Sequence, residues 1–234
     1  MNKRFINALK SDITFQFKQG FYYVYIFLTI IYMVIIAKLP DGAIKNMAIP
    51  LTVFSDPSLI GFFFIGGIAM LEKSQGILKY IAVTPLTPME YLLSKAASLS
   101  LVSLFAGCVI TLATFKGTAN WIILMTGIVL SSVFFTLYGF IAAAKSRTIN
   151  EYYIKMVPYM LLIIFPCFSV IGFKYSWLFD IFPSVSGLKL ILGAQNGLTL
   201  LGAVPYLIIL LLMDFLILKL AERTYQKMIV SEEV

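Results

Sequence analysis

Two ionisable side chains lie inside long apolar runs, where a charged group can bind a cation, carry a proton or contact a substrate. Asp214 interrupts residues 205–218, and Lys95 lies inside residues 88–115. An ionisable group within a membrane span is costly and usually functional, so Asp214 is a candidate for a substrate path or an intramembrane polar site. The structural alternative is that Asp214 pairs with Lys219 or reaches the membrane surface. For Lys95 we favour an anchor whose long stem extends to the interface.

The sequence lacks the residue sets that proteins use for catalysis and nucleotide binding. It contains no histidine, which removes the commonest general base and the commonest metal ligand. No Gly-x-x-x-x-Gly-Lys-Ser/Thr loop, His-Glu-x-x-His or Gly-x-Ser-x-Gly occurs. The acidic residues are scattered, and Cys108 and Cys167 lie in separate apolar segments. We therefore predict no catalytic residue, cofactor or metal in this chain, and any ATP-driven process needs a nucleotide site on another chain.

The composition places the chain in a membrane. Of its 234 residues, 60% are hydrophobic and 12% charged, and the mean hydropathy is +0.94. A soluble domain of this size has too few polar groups here to cover its surface. The net charge of +7 lies at the ends of apolar runs rather than in one patch. Membrane topology explains this arrangement better than nucleic-acid binding does.

Six apolar segments are suited to crossing a bilayer as helices, so we predict an all-α, polytopic membrane protein. They cover approximately residues 21–37, 47–71, 88–115, 120–144, 156–173 and 200–218. The second segment is interrupted by Ser55-Asp56-Pro57. Either Asp56 caps a helix that starts at Pro57, or one long span bends there. Residues 219–234 follow as a polar tail.

Two further segments are apolar or amphipathic but are not suited to crossing the bilayer. In residues 1–20, Phe5, Leu9, Ile13 and Phe17 recur every four residues, which is typical of a helix in the membrane interface with its basic side toward the headgroups. The alternative is a cytoplasmic helix packed on the rest of the protein. Residues 174–199 are too apolar for a solvated loop and too interrupted for a span, so we expect short interfacial or re-entrant helices.

The distribution of basic residues predicts the orientation. With six spans, 13 of the 18 Lys and Arg residues belong to the side of the two termini. The other five are Lys38, Lys45, Lys116, Lys174 and Lys189. The positive-inside rule therefore places both termini, and residues 72–90 with them, in the cytoplasm.

Residues 72–90 form the longest polar interruption between the early spans, and we call this segment the elbow. Its Thr84-Pro85 pair ends a helix, and Thr87-Pro88-Met89-Glu90 is typical of the next helix start. The apolar positions of its first half share one helical face: Ile77, Leu78, Ile81 and Ala82. We predict a short amphipathic helix that contacts another protein. The alternative is an interfacial helix that lies on lipid headgroups.

Three parts of the elbow resemble the cytoplasmic loop of ABC-2 type transporter permeases. They are Glu72-Lys73-x-x-Gly76-x-Leu78, Val83-Thr84-Pro85-Leu86 and Glu90-Tyr91-Leu92-Leu93-Ser94-Lys95. In that family this loop carries the coupling helix that docks on the ATP-binding subunit. The resemblance implies that the contacts to the partner are Glu72, Gly76, Ile77, Leu78, Ile81, Thr84 and Pro85. It also implies that residues 1–234 form one ABC-2 type transmembrane domain.

The elbow departs from the family pattern in its charge. The family often has a second acid in place of Ser74, a threonine in place of Ile77 and an acid in place of Lys79. Because this elbow is less acidic, we expect it to dock through its apolar face rather than by charge pairing. The small size resembles the bacterial drug-export subset, which includes permeases for fluoroquinolone export.

This resemblance implies a permease subunit of an ATP-driven exporter in the bacterial cell membrane, which is not itself an enzyme. The implied partners are an ATP-binding cassette subunit that holds ATP and Mg, a second permease subunit that is identical or related, and membrane lipids. The substrate would be hydrophobic or amphiphilic, such as a drug, and no nucleic acid is expected. The alternatives are an ion-coupled secondary transporter with Asp214 as coupling site, a membrane scaffold protein, or an integral membrane enzyme.

Overall fold

The computed structural model describes residues 2–77, 84–146, 148–171 and 176–232. All regular elements of these residues are helical. The α-helices are α1 Asn2–Lys18, α2 Phe21–Lys38, α3 Ala43–Ser55, α4 Gly61–Ser74, α5 Pro88–Thr114, α6 Trp121–Ala144, α7 Ile149–Ile164, α8 Pro183–Gln195 and α9 Leu200–Glu232.

Five helical segments are individually long and apolar enough to cross a membrane within the described residues. They are Phe21–Lys38, Pro88–Thr114, Trp121–Ala144, Ile149–Val170 and Leu200–Met228. The remaining predicted span, residues 47–71, is built from α3 and α4, which a π-helical turn at Asp56–Ile60 joins into continuous helix. The prediction of an all-α, polytopic membrane protein is therefore confirmed.

The junction between α3 and α4 decides between the two alternatives for the second span. Asp56 does not cap a helix: its backbone is α-helical and it forms no side-chain capping bond. Pro57 has no backbone N–H, so the helix loses one bond at this point. The chain widens instead, and the Gly61 N–H bonds to the Asp56 carbonyl five residues back, as in a π-helical turn. The second span is thus one long helix.

Helix α6 lies at the centre of the fold and packs against α4, α5, α8 and α9. A side-chain methyl at Gly139 would lie 2.8 Å from the Phe62 carbonyl oxygen, so only glycine permits the close approach of α4. Phe135 and Phe140 are fully buried on the same helix. The outward faces of α2, α7 and α9 carry exposed large apolar side chains, as expected of surfaces that contact lipid.

Helix α8 is the short element predicted before the last span. Its 13 residues extend about 20 Å, less than the ~30 Å hydrocarbon core. It starts where Ser184 Oγ donates to the Ile163 carbonyl, and its end lies beside the start of α6, where the Asn120 N–H donates to the Ala194 carbonyl. Helix α8 therefore runs along α6 from a point beside α7, and its re-entry into the bilayer stays a prediction.

Two helices extend beyond their predicted limits. Helix α7 starts at Ile149, where the Thr148 side chain accepts from the Glu151 N–H, and it continues into a 3₁₀ turn at Phe165–Ile171 that contains Pro166. Helix α9 continues through the predicted polar tail to Glu232. Ala221, Tyr225 and Met228 are buried in that extension, so packing stabilises helix where the polarity predicted a tail.

Candidate functional site

Lys95 lies at the centre of a buried group of charges. Its side chain is 1% exposed, and its Nζ lies 2.9 Å from Asp12 Oδ1 and 2.6 Å from Glu72 Oε1. The interpretation of Lys95 as an anchor to the membrane surface is therefore wrong. The stem points into the protein because two carboxylates from other helices meet the ammonium group there.

Two hydroxyl groups bind the remaining oxygens of the Glu72 and Asp12 carboxylates. Tyr91 Oη donates to Glu72 Oε2 over 2.6 Å, and Ser94 Oγ donates to Asp12 Oδ2 over 2.5 Å. Each carboxylate oxygen thus has a partner, as buried charges require. We call Asp12, Glu72, Tyr91, Ser94 and Lys95 the Lys95 cluster. These hydrogen bonds are charge-assisted and belong to the strong class.

The Lys95 cluster joins three helices at the place where α4 ends and α5 begins. Glu72 lies in the last turn of α4, where the elbow begins. Tyr91 and Lys95 lie in the first turns of α5, just after the elbow ends. Asp12 comes from α1. Removing one member of a buried ion pair typically costs ~3–5 kcal/mol, because the other charge is left uncompensated. The two helices that flank the elbow are therefore held to each other and to α1.

Further contacts extend the cluster to its neighbours. Tyr225 of α9 stacks on Tyr91 with ring centroids 4.7 Å apart, and the Lys95 ammonium lies 4.6 Å from the centroid of the Tyr91 ring. On α1, Gln16 Nε2 donates to Ser98 Oγ over 2.7 Å. Side chains of α1, α4, α5 and α9 are thus connected through the Lys95 cluster.

The elbow is described at its two ends. Gly76 has φ +67°, a left-handed conformation that glycine adopts without strain and that ends α4. Ile77 follows in helical conformation, whereas Leu78 and Ile81 lie outside the described residues. At the other end, the carbonyl of Pro85 accepts from Arg4 Nη1 over 3.1 Å. Helix α1 therefore contacts the elbow directly, besides its link through Lys95.

The predicted helix start after the elbow is confirmed. The Glu90 N–H donates to Thr87 Oγ1 over 3.2 Å, and the Thr87 N–H donates to Glu90 Oε2 over 3.0 Å. This reciprocal pair is a capping box, with Pro88 in the first helical position. It fixes where α5 begins and hence the register in which Tyr91 and Lys95 reach the carboxylates.

The structure places the predicted partner contacts unequally. Glu72 is 4% exposed, and its carboxylate bonds to Lys95 and Tyr91 inside the protein. Thr84 and Pro85 are exposed, while Gly76 and Ile77 are half-buried. Docking through these residues stays a prediction. For Glu72, the internal role is the one that the geometry describes.

Asp214 keeps its place as a candidate polar site within a span. It is 8% exposed, and neither carboxylate oxygen has a hydrogen-bond partner among the described residues. Its proposed pairing with Lys219 is not formed, because Lys219 Nζ lies 3.2 Å from Glu222 Oε2 instead. Asp56 is similar: it is 0% exposed, and the described residues provide no partner for either oxygen.

Sequence reasoning missed Asp12 and Gln16. The pattern of residues 1–20 predicted only an apolar side and a basic side facing the headgroups, whereas both residues are buried against α5. The available signal was the spacing: Asp12 and Gln16 lie four residues apart on one face, and Ser94, Lys95 and Ser98 repeat a similar spacing on α5. The basic residues Lys3, Arg4, Lys10 and Lys18 are exposed, as predicted.

The fold and site define a multi-pass, α-helical membrane protein whose early spans are tied together beside a polar elbow. Residues 3–233 match the fluoroquinolones export permease protein family, and the chain belongs to that family. It is similar to fluoroquinolones export permease proteins of two Mycobacterium tuberculosis strains, CDC 1551 and H37Rv. Each is 27% identical over 200 residues, which cover 86% of this chain and 80% of the relative. The protein is a permease.

Proposed function

We propose that the chain is the membrane subunit of an ATP-driven ABC exporter in the bacterial cell membrane, with both termini and the elbow in the cytoplasm. Residues 1–234 act as one transmembrane domain. A separate ATP-binding cassette subunit holds ATP and Mg and docks on the elbow, and a second permease subunit completes the substrate path. The exported compound is hydrophobic or amphiphilic. The membership in the fluoroquinolones export permease family and the similarity to the two mycobacterial export permeases support the export of a drug.

The Lys95 cluster is the observation that carries this proposal. An elbow that couples an ATPase to a membrane path must pass its displacement to the spans rather than absorb it. Here Glu72, the first residue of the elbow, is bonded over 2.6 Å to both Tyr91 and Lys95, which follow the elbow. Because these groups are buried, the bonds are weakly screened by solvent. The elbow and its flanking helices therefore move as a unit.

Transport then follows as a shift between two arrangements of the permease. The ATPase subunit favours one arrangement when ATP is bound and the other after hydrolysis, and it shifts the permease only by its differential affinity for the two. Helix α1 moves with the elbow because two contacts join them. Arg4 donates to the Pro85 carbonyl, and Asp12 forms an ion pair with Lys95. The substrate path changes its access as these helices change position.

Co-purification with a candidate ATP-binding cassette subunit tests the docking step. The double substitution Ile77→Asp/Ile81→Asp should abolish the complex, because it places charges on the apolar face of the elbow. Ile44→Asp is the matched control, since Ile44 is an exposed apolar residue at the opposite end of the fold. It should leave the complex intact. Equal recovery of the ATPase with wild type and the double variant would show that the elbow is not the docking site.

A further inference from the structure

A polar pocket lies at the end of the fold opposite the elbow. It has a volume of about 350 Å³. The turn between α2 and α3, the start of α3, the end of α5 and the end of α8 meet around it. The polar side chains that line it are Asp41, Lys45, Asn46, Lys116, Gln195 and Asn196. We call it the outer pocket. A volume near 300 Å³ or more is in the range of pockets that hold small ligands.

The side-chain amide of Gln195 lines the outer pocket and is not bonded by any described residue. Its side chain is 7% exposed, yet neither its oxygen nor its nitrogen has a hydrogen-bond partner among the described residues. A buried amide without partners costs about 1–3 kcal/mol for each unmet group. Native proteins rarely keep such a group unless something binds it. Since Gln195 lines the pocket, its amide is available to an occupant of the pocket.

The charges around the pocket favour an anion. Lys45 Nζ lies 2.8 Å from Asp41 Oδ1, and Lys116 Nζ lies 3.4 Å from Asp41 Oδ2. Two cations thus share one carboxylate, which leaves a net positive charge. The same two lysines lower the pKa of Asp41 by hydrogen bonding to its ionised form. Asp41 is therefore ionised at neutral pH and occupies the position that a bound anion would take between the lysines.

The backbone adds to this preference. Helix α3 begins at Ala43 after Gly42, with no side chain bonded to its first amides, and Lys45 lies in its first turn. The free N–H groups and the dipole of a helix start favour negative charge. The side-chain amides of Asn46 and Asn196 also line the pocket. These are neutral donors of the kind that fix the orientation of an oxyanion.

We propose that the outer pocket binds an oxyanion, a phosphate or a carboxylate, carried by a lipid headgroup or by a small soluble molecule. The lysine ammonium groups of Lys45 and Lys116 contact the anion, and the Gln195 amide donates to it. Asp41 competes with the ligand for the lysines. This site is separate from the elbow, and binding to it is measured on the permease alone, so its failure and that of the exporter proposal are distinguishable.

The competition by Asp41 gives a test that misfolding cannot imitate. Lys45→Gln and Gln195→Leu should each weaken anion binding about tenfold, because each removes a direct contact. Asp41→Asn should strengthen binding severalfold, because it frees both lysines. Lys38→Gln is the matched control: it makes the same change of charge at an exposed residue on the same end of the fold, outside the lining of the pocket. It should leave binding unchanged.

Two probes distinguish the sources of the anion. Native mass spectrometry of the purified permease counts bound phosphatidylglycerol, with zwitterionic phosphatidylcholine as the comparison lipid. Isothermal titration with inorganic phosphate measures a free anion. Variant effects in the lipid arm alone identify a lipid headgroup, and effects in the phosphate arm identify a site open to soluble oxyanions. If all variants match wild type in both arms, or if Asp41→Asn weakens binding as Lys45→Gln does, the proposal is overturned.

Discussion

The ammonium group of Lys95 lies 2.6 Å from a carboxylate oxygen of Glu72, the first residue of the elbow, although the two residues are 23 positions apart in the sequence. Both side chains are buried. A second carboxylate, from Asp12, lies 2.9 Å from the same ammonium group. The contact therefore joins α1, α4 and α5 at the two ends of the elbow.

Replacing Lys95 by Met should destabilise the protein by ~3–5 kcal/mol, because the carboxylates of Asp12 and Glu72 are left buried without their cation. The measurement is thermal unfolding in detergent. The triple variant Asp12→Asn/Glu72→Gln/Lys95→Met removes all three charges and should recover much of the loss. A Lys95→Met protein as stable as wild type would contradict the description of this cluster.

Gly66 and Gly67 provide a matched pair for the packing of α4. A methyl group at Gly66 would lie 2.0 Å from Tyr152 Cζ, whereas one at Gly67 would meet its nearest neighbour, Phe21, at 3.6 Å. Gly66→Ala should therefore destabilise by ~1–3 kcal/mol through overpacking. Gly67→Ala should be neutral or stabilising by up to ~1 kcal/mol, because alanine favours helix. Unfolding temperatures of the two variants decide this. Equal effects would contradict the close approach of α4 to α7.

Removing the Tyr152 hydroxyl should destabilise the protein less than adding a methyl group at Gly66. Tyr152 Oη donates to the Phe62 carbonyl over 2.8 Å, and the residue is buried. Tyr152→Phe removes one hydrogen bond and should cost ~1 kcal/mol. Tyr138→Phe is a comparison variant, because its 3.2 Å bond to the Tyr159 carbonyl is only partly buried. A larger loss at Tyr138 than at Tyr152 would contradict the predicted order.

Asp214→Asn distinguishes ATP-driven export from the ion-coupled alternative. Its carboxylate has no partner among the described residues, so the substitution breaks no internal ion pair there and the fold should survive. We expect export driven by ATP to continue at near wild-type rate. If wild-type transport instead depends on an ion gradient and Asp214→Asn abolishes it, Asp214 is a coupling site for ions.

Local signals were enough to predict the edges of several helices, whereas the contacts between helices were not predictable from one sequence. The capping box at Thr87 and Glu90 is encoded within four residues and was recognised correctly. The pairing of Lys95 with Asp12 joins residues 83 positions apart, and no pattern in one sequence indicates which helices meet. At Asp56 and Pro57 a cap and a continuous helix fit the same residues, and packing against α6 decides between them.

The central claim is that this permease works only with an ATPase that docks on its elbow. Inside-out membrane vesicles from cells that express the permease and a candidate ATP-binding cassette subunit measure it directly, with a fluorescent amphiphilic drug as substrate. We predict accumulation that requires ATP hydrolysis and is lost with Ile77→Asp/Ile81→Asp but not with Ile44→Asp. Accumulation that persists with a catalytically inactive ATPase, driven by a proton gradient alone, would contradict the account.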